Sequence, residues 1–302
     1  MTTALSMPVA LLLDAMLGEP RRYHPLVGFG RFATWLETKV YADARAAGAF
    51  AWCMAVLVPV GVFCVLRAAL PSVAVFVIDV SVACLAIGRR SLADHARPVA
   101  RALSDGDLDA ARRAVGRMVS RDTEALDAGQ VAAAATESVL ENGHDAVFGA
   151  LFWFALLGGP GVLLFRLANT LDAMWGYRTP RYERFGWAAA RADDLLGYVP
   201  ARLTALTYAC VGDFAKAIRC WRRQAPSWDS PNAGPVMASG AGALGVRLGG
   251  AAPYHGHWEE RPVLGERDAP EANDILRALR LVDRGSVAWM AVAVVIGVAA
   301  HA

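Results

Sequence analysis

The stretch AFAWCMAVLVPVGVFCVLRAAL, Ala49 to Leu70, carries a single charge, Arg67. A helix crosses a bilayer in roughly 20 apolar residues, so this run is long enough to span. PSVAVFVIDVSVACLAIG, Pro71 to Gly88, follows at once and is slightly shorter. The two read as a helical hairpin with its turn near Leu70-Pro71. GSVAWMAVAVVIGVAAHA, from Gly285 onward, reads as a further span. ALSMPVALLLDAMLG, Ala4 to Gly18, is apolar but short and contains Asp14. It lacks a basic leader and a small-residue cleavage site, so it reads as retained rather than as a signal peptide.

Two basic stretches flank the hairpin, Arg21 to Arg45 and Arg89 to Arg121. The positive-inside rule puts both in the cytoplasm, as a hairpin that goes out and back requires. Asp79 lies inside a span, where an acid costs roughly 2.5–3.5 kcal/mol on insertion scales and is a functional candidate; the equal alternatives are that it snorkels or pairs with Arg67. The segment from Ser91 to Asp145 reads as cytoplasmic helices, with Ser104 or Asp105 available as a cap. No strand alternation persists. The expectation is an all-α, polytopic integral membrane protein with transmembrane helices and cytoplasmic helical segments, in a single domain over 1–302.

Composition agrees. The 302 residues are 56% hydrophobic and 19% charged, apolar-rich for a soluble chain. A net charge of +2 gives no case for a nucleic-acid partner. Lys39 and Lys216 are the only lysines; the arginine excess is coding bias, or suits phosphates and carboxylates. Five scattered cysteines without CxxC spacing make neither a disulfide framework nor a zinc site.

Two apolar runs stay ambiguous. Ala146 to Ala168 could span once, but GGPG at 158–161 breaks helices and favours a re-entrant hairpin. Leu195 to Val211 is interrupted by Pro200 and Arg202.

Three stretches carry chemistry. In ESVLENGHD, Glu137 to Asp145, the acids Glu137, Glu141 and Asp145 recur every four residues, which stacks them on one helix face. Stacked carboxylates repel unless a cation sits among them, and Mg²⁺ takes one or two carboxylates together with phosphate oxygens. The plainer reading is a solvated face ended by Asn142-Gly143. In NTLDAMWGYRTPRYERFGWAAARADDLLGYVPARLTA, Asn169 to Ala205, Asn169 and Asp172 share a face. Arg178, Arg181, Arg184 and Arg191 then interleave with aromatics, and Asp193-Asp194 follows. An interfacial aromatic belt with snorkelling arginines explains the arginines but not the paired acids. SPNAGPVMASGAGALGVRLGGAAPYHG, Ser230 to Gly256, is either a flexible loop or a glycine surface for close backbone approach to a ligand. It is not a P-loop.

These stretches, with LLLDAMLGEPRRYHPLVGFGR near the start and in this order, resemble the CbiB/CobD family, the integral-membrane adenosylcobinamide-phosphate synthases of cobalamin biosynthesis. The family's ENTxDG pattern reads ENGHDA here. The resemblance implies a ligase of the cell inner membrane, multi-pass, with its active face cytoplasmic. It joins a propionate carboxylate of adenosylcobyric acid to aminopropanol phosphate, or a similar amino alcohol, at the expense of ATP with Mg²⁺. Its implied partners are these small molecules, membrane lipid and other cobalamin-pathway enzymes. The implied catalytic set is Glu137, Glu141, Asp145, Asp172, Asp193 and Asp194, with Glu137, Glu141 and Asp172 as metal ligands. Substrate and nucleotide contacts fall to Asn142, Asn169, Tyr177, Arg178, Arg181, Arg191 and Asn232, and His24 and His255 are base candidates. Two other classes stay open: a membrane sensor or regulator without turnover, and a membrane alcohol- or prenyl-transferase using helix-borne acids.

Overall fold

A computed structural model describes residues 2–20, 24–254 and 256–299. His255 lies outside the described residues. The helices in chain order are α1 (Thr2–Leu17), α2 (Pro25–Val40), α3 (Arg45–Trp52), α4 (Val58–Ala68), α5 (Ser72–Ala86), α6 (Arg89–Ser104), α7 (Leu108–Val115) and α8 (Ala128–Gly143). They continue as α9 (Gly149–Leu157), α10 (Gly159–Trp175), α11 (Trp187–Val211), α12 (Phe214–Gln224) and α13 (Ala233–Leu244), with α14 (Ala272–Ala299) last. Strands β1 (Arg247–Gly249), β2 (Ala252–Tyr254), β3 (His257–Glu259) and β4 (Val263–Gly265) precede α14. The all-α expectation holds apart from these short strands. β1 pairs antiparallel with β4, and β2 with β3.

Among the described residues, three segments are long and apolar enough to cross a membrane: Arg45–Ala68, Ser72–Ser104 and Ala272–Ala299. The hairpin turn falls where expected, since α4 ends at Ala68 and Pro71 caps α5. Arg45–Ala68 is continuous because a π-helical turn, Cys53–Leu57, joins α3 to α4. Val62, Val65, Val73 and Val77 on the hairpin are all exposed, as a lipid-facing surface requires.

The chain divides into two compact units. The first comprises Met1–Gly88, Gly149–Gly197 and Met290–Ala302. Its core joins Leu36, Ala51, Leu167, Leu171, Trp175 and Phe185, with Trp175 edge-on to Phe185 at 5.2 Å. α10 packs against α2, α4, α5 and α9. The break expected within 158–161 is at Gly158, whose φ of 68° is open to glycine. A Cβ on the next residue, Gly159, would collide with the Asp79 carboxylate. Thus the tip between α9 and α10 is pressed onto Asp79, which Arg67 holds by hydrogen bonds.

The second unit comprises Arg89–Phe148 and Tyr198–Trp289. Its centre is α13, buried along its whole length. Over 233–244 this corrects the reading of Ser230 to Gly256 as a loop or glycine ligand surface. The small residues let neighbouring helices close in: a Cβ on Gly240 would meet Leu140, and one on Gly242 the backbone of Lys216 and Ala217. Its N–H groups are spent inside a helix rather than offered to an anion.

Three smaller expectations are also corrected. Asp107, not Ser104 or Asp105, caps α7, its side chain accepting from the Ala110 N–H at 2.8 Å. The helix through ESVLENGHD does not stop at Asn142-Gly143 but runs on through a π-helical turn, His144–Phe148. Pro200 does not break α11. Proline has no N–H for the Leu196 carbonyl four residues back, and the Trp153 indole N–H takes that place at 3.0 Å.

Candidate functional site

Glu137 is buried on α8, with both oxygens engaged. Arg121 donates from Nη2, Arg261 from Nη1 and Nη2, and the Gly249 N–H donates at 2.7 Å. Burial alone would raise this carboxyl's pKa. The two guanidinium charges and the hydrogen bonds outweigh it and hold Glu137 below the usual carboxylate range. Glu137 therefore ties β1 and the Arg261 segment to α8, and its lone pairs are taken by protein donors. Neither arginine partner was singled out in the sequence, since they lie 16 and 124 residues away.

Glu141, one turn on, is half-buried. Asn142 turns inward and donates to the Ser138 carbonyl at 2.9 Å. Asp145 sits on the widened π-helical turn, so regular four-residue stacking ends at Glu141. His144 is buried beside it, 3.6 Å from the Asp145 carboxylate and 3.3 Å from the Thr204 hydroxyl. Burial first, then the charge of Arg202, lowers its pKa to about 3, so His144 is neutral and the contact is no ion pair. Asn232 is buried and accepts from Arg202 Nη1 at 3.0 Å.

The first unit carries its own polar cluster. On α10, Asn169 accepts from Arg166 at 3.4 Å and donates to Asp193 Oδ1 of α11 at 3.3 Å. Asp193 is raised to about 6, by burial first and by the neighbouring Asp194 charge, against the Asn169 hydrogen bond. Asp194 is raised by burial, and Arg191, 3.3 Å away, opposes this. The structure thus brings Asn169, Asp193, Asp194 and Arg191 together, and adds Arg166, which sequence reasoning had passed over. Asp172 lies one turn beyond Asn169, where its carbonyl accepts the Gly176 N–H.

Arg181 is differently employed than expected. Its Nε and Nη2 reach Glu37 Oε1 at 2.9 and 2.8 Å, and its guanidinium lies 4.1 Å over the Tyr41 ring. The Tyr182 hydroxyl donates to the same buried carboxylate. The planar fork expected to grip a phosphate is closed by Glu37, an acid with no motif around it. Tyr177 and Arg178 are exposed. His24 is the N-cap of α2, with Nδ1 accepting from the Leu26 N–H at 3.2 Å.

Among the described residues, no group of three or more His, Cys, Asp or Glu side chains could hold a metal ion. Mg²⁺ that arrives on a nucleotide needs only one or two protein carboxylates besides phosphate oxygens. By residue type Glu141 in the second unit and Asp172 in the first each fit that smaller demand, whereas Glu137 is committed to its arginines.

The chain matches the family described as CobD/Cbib protein over residues 7–282. It is 59% identical over 296 residues to the cobalamin biosynthesis protein CobD of Stutzerimonas stutzeri, covering 97% of each chain. It is 56% identical to the protein of the same name from Chromobacterium violaceum, over the whole of both. The Mycobacterium tuberculosis H37Rv protein of that name is 44% identical over 94% of each. No solved structure matches.

Proposed function

The chain belongs to the CobD/CbiB family of cobalamin biosynthesis proteins, and we propose that it is the ATP-dependent ligase that joins adenosylcobyric acid to aminopropanol phosphate, or a similar amino alcohol, giving adenosylcobinamide phosphate. The observation that carries the reading is the Asn169–Asp193–Asp194 cluster. It is a buried acid of raised pKa beside a second acid and an arginine, on helices that supply the most specific motif.

A carboxylate resists attack by an amine, so ATP first activates it, most simply as an acyl phosphate. The amine nitrogen then bonds to the acyl carbon, phosphate leaves, and the amine gives up a proton. Asp193 is suited to accept it, because a base works best with a pKa near the operating pH. Asn169 orients that carboxylate. Arg191 and Arg178 offer planar donors to phosphate oxygens. Mg²⁺, held by Glu141 or by Asp172, would neutralise charge on the transferring phosphoryl group. The active face is cytoplasmic, where ATP and the corrinoid are found. Cysteines placed at the exposed positions 124 and 178 should therefore both be labelled from that side.

The test is product formation in membranes that contain the protein. Adenosylcobyric acid, aminopropanol phosphate, ATP and Mg²⁺ should give the amide, detected by mass. No amide and no ATP consumption with any amino alcohol would return the chain to the sensor class. Glu141→Gln or Asp172→Asn, whichever removes the ligand, should raise the Mg²⁺ concentration needed for half-maximal rate, with expression intact. An unchanged Mg²⁺ dependence removes both from the metal set.

A further inference from the structure

Arg202 differs from the other inward arginines of its unit. Arg121 and Arg261 share Glu137, and Arg277 pairs with Asp274 at 2.6 Å. Arg202 has no carboxylate within ion-pair distance among the described residues. Its Nη1 donates to the Tyr198 carbonyl and to Asn232 Oδ1, both at 3.0 Å. The guanidinium carbon lies 3.5 Å over the Tyr198 ring. These contacts fix the plane of the fork while Nε and Nη2 take no acceptor among the described residues.

The surroundings add positive potential rather than remove it. Asn232 is the residue before α13, so Arg202 sits at the positive end of that helix. The capping acceptor there is a neutral hydroxyl, Ser230 Oγ, which takes the Ala233 N–H at 3.1 Å. His144, whose pKa the Arg202 charge helps to lower, is neutral and supplies no counter-charge. Along the same helix Tyr198, Val199, Leu203 and Leu206 are exposed and apolar. A fixed, uncompensated guanidinium beside an exposed apolar stripe matches a phosphate group delivered at a membrane surface.

We propose that Arg202, aimed by Tyr198 and Asn232, binds a phosphate group: the monoester of the amino-alcohol substrate or the headgroup of an anionic lipid. The substrate arm rests on the ligase reading; the lipid arm does not.

The test uses the full-length protein in phosphatidylcholine nanodiscs. Aminopropanol phosphate should bind the wild type, and Arg202→Gln should weaken it by about tenfold, the worth of a hydrogen bond to a charged group. Aminopropanol without phosphate should bind both alike. If Arg202→Gln does not fold, Asn232→Asp decides. It places a carboxylate at the Nη1 contact, so thermal stability should hold or rise while phosphate affinity falls. A purely structural Arg202 would show no such loss. For the lipid source, adding phosphatidylglycerol should raise the Tm of the wild type and of neither variant. Variants that match the wild type in both arms, or a wild type that responds in neither, overturn the proposal. A wild type that binds phosphate through Arg202 but forms no amide leaves the site standing and removes the ligase reading.

Discussion

Arg67 of α4 and Asp79 of α5 meet inside the apolar hairpin, Nε to Oδ1 and Nη2 to Oδ2, both at 2.9 Å. The pair is what an acid in a span requires, and it does a second task. Asp79 is also the surface on which Gly159 rests, so the ion pair sets where the chain turns between α9 and α10.

Gly159→Ala should therefore behave like an ion-pair mutation. The new methyl displaces Asp79, and overpacking of this kind costs roughly 1–3 kcal/mol. Asp79→Asn, which leaves Arg67 charged in an apolar setting, should cost more. Thermal melts in detergent of the two single variants and the double variant check this. Additive effects would mean that the glycine and the acid act independently.

Glu137→Gln should destabilise the second unit by about 3–5 kcal/mol, because Arg121 and Arg261 lose their counter-charge inside the protein. A pure metal ligand would instead leave stability intact and change only the Mg²⁺ requirement. The sign with pH follows from the lowered pKa of Glu137. Its contribution is present above the ordinary carboxylate range and is lost as pH falls through the lower folded value. Acid melts should show the wild type losing stability at low pH and the variant largely lacking that loss.

Arg181→Lys tests the closed fork. With Glu37 and Tyr41 as partners, lysine loses both the paired geometry and the ring contact. Glu37→Gln and Arg181→Lys should reduce stability, and together cost less than their sum. The KM values for ATP and the amino-alcohol phosphate should stay within about twofold, below the tenfold of a lost charged contact. A selective rise in either KM would restore Arg181 as a substrate contact.

The parts legible in the sequence were those with a local signature. The hairpin shows as apolar length ended at Pro71, and the break at Gly158 as glycine and proline in an apolar run. α13 was not legible, because alanine and glycine look alike in a loop and in a helix whose neighbours press close. Only the packing of Leu140 and Ala217 against it decides. The ion pairs of Glu137 and Arg181 were hidden for another reason. Glu37 lies 144 residues from Arg181, and Arg261 lies 124 from Glu137. No periodicity connects such distances, so Glu137 and Arg181, read as site residues, are neutralised by partners that no motif singles out. The Asn169–Asp193 link is also long-range, but both ends stood in one dense motif.

The Asn169–Asp193 hydrogen bond makes a prediction about the pH profile that a structural role would not share. As the proposed base, Asp193 must be ionised to accept the amine proton, and burial places its pKa at about 6. The wild-type kcat should therefore fall as pH drops through that region. Asp193→Asn should lower kcat by roughly 100-fold or more, the usual worth of a positioned base, and flatten the acidic limb. Asn169 acts through Asp193, since its amide favours the ionised carboxylate and so lowers the pKa. Removing that donor with Asn169→Ala should move the acidic limb to higher pH. Much of the rate should return at alkaline pH, while the KM for ATP changes little. Rates measured from pH 5 to 9 in membranes decide between the roles. A uniform loss at all pH values in Asn169→Ala, with the limb unmoved, would make Asn169 a packing residue and take the base assignment away from Asp193.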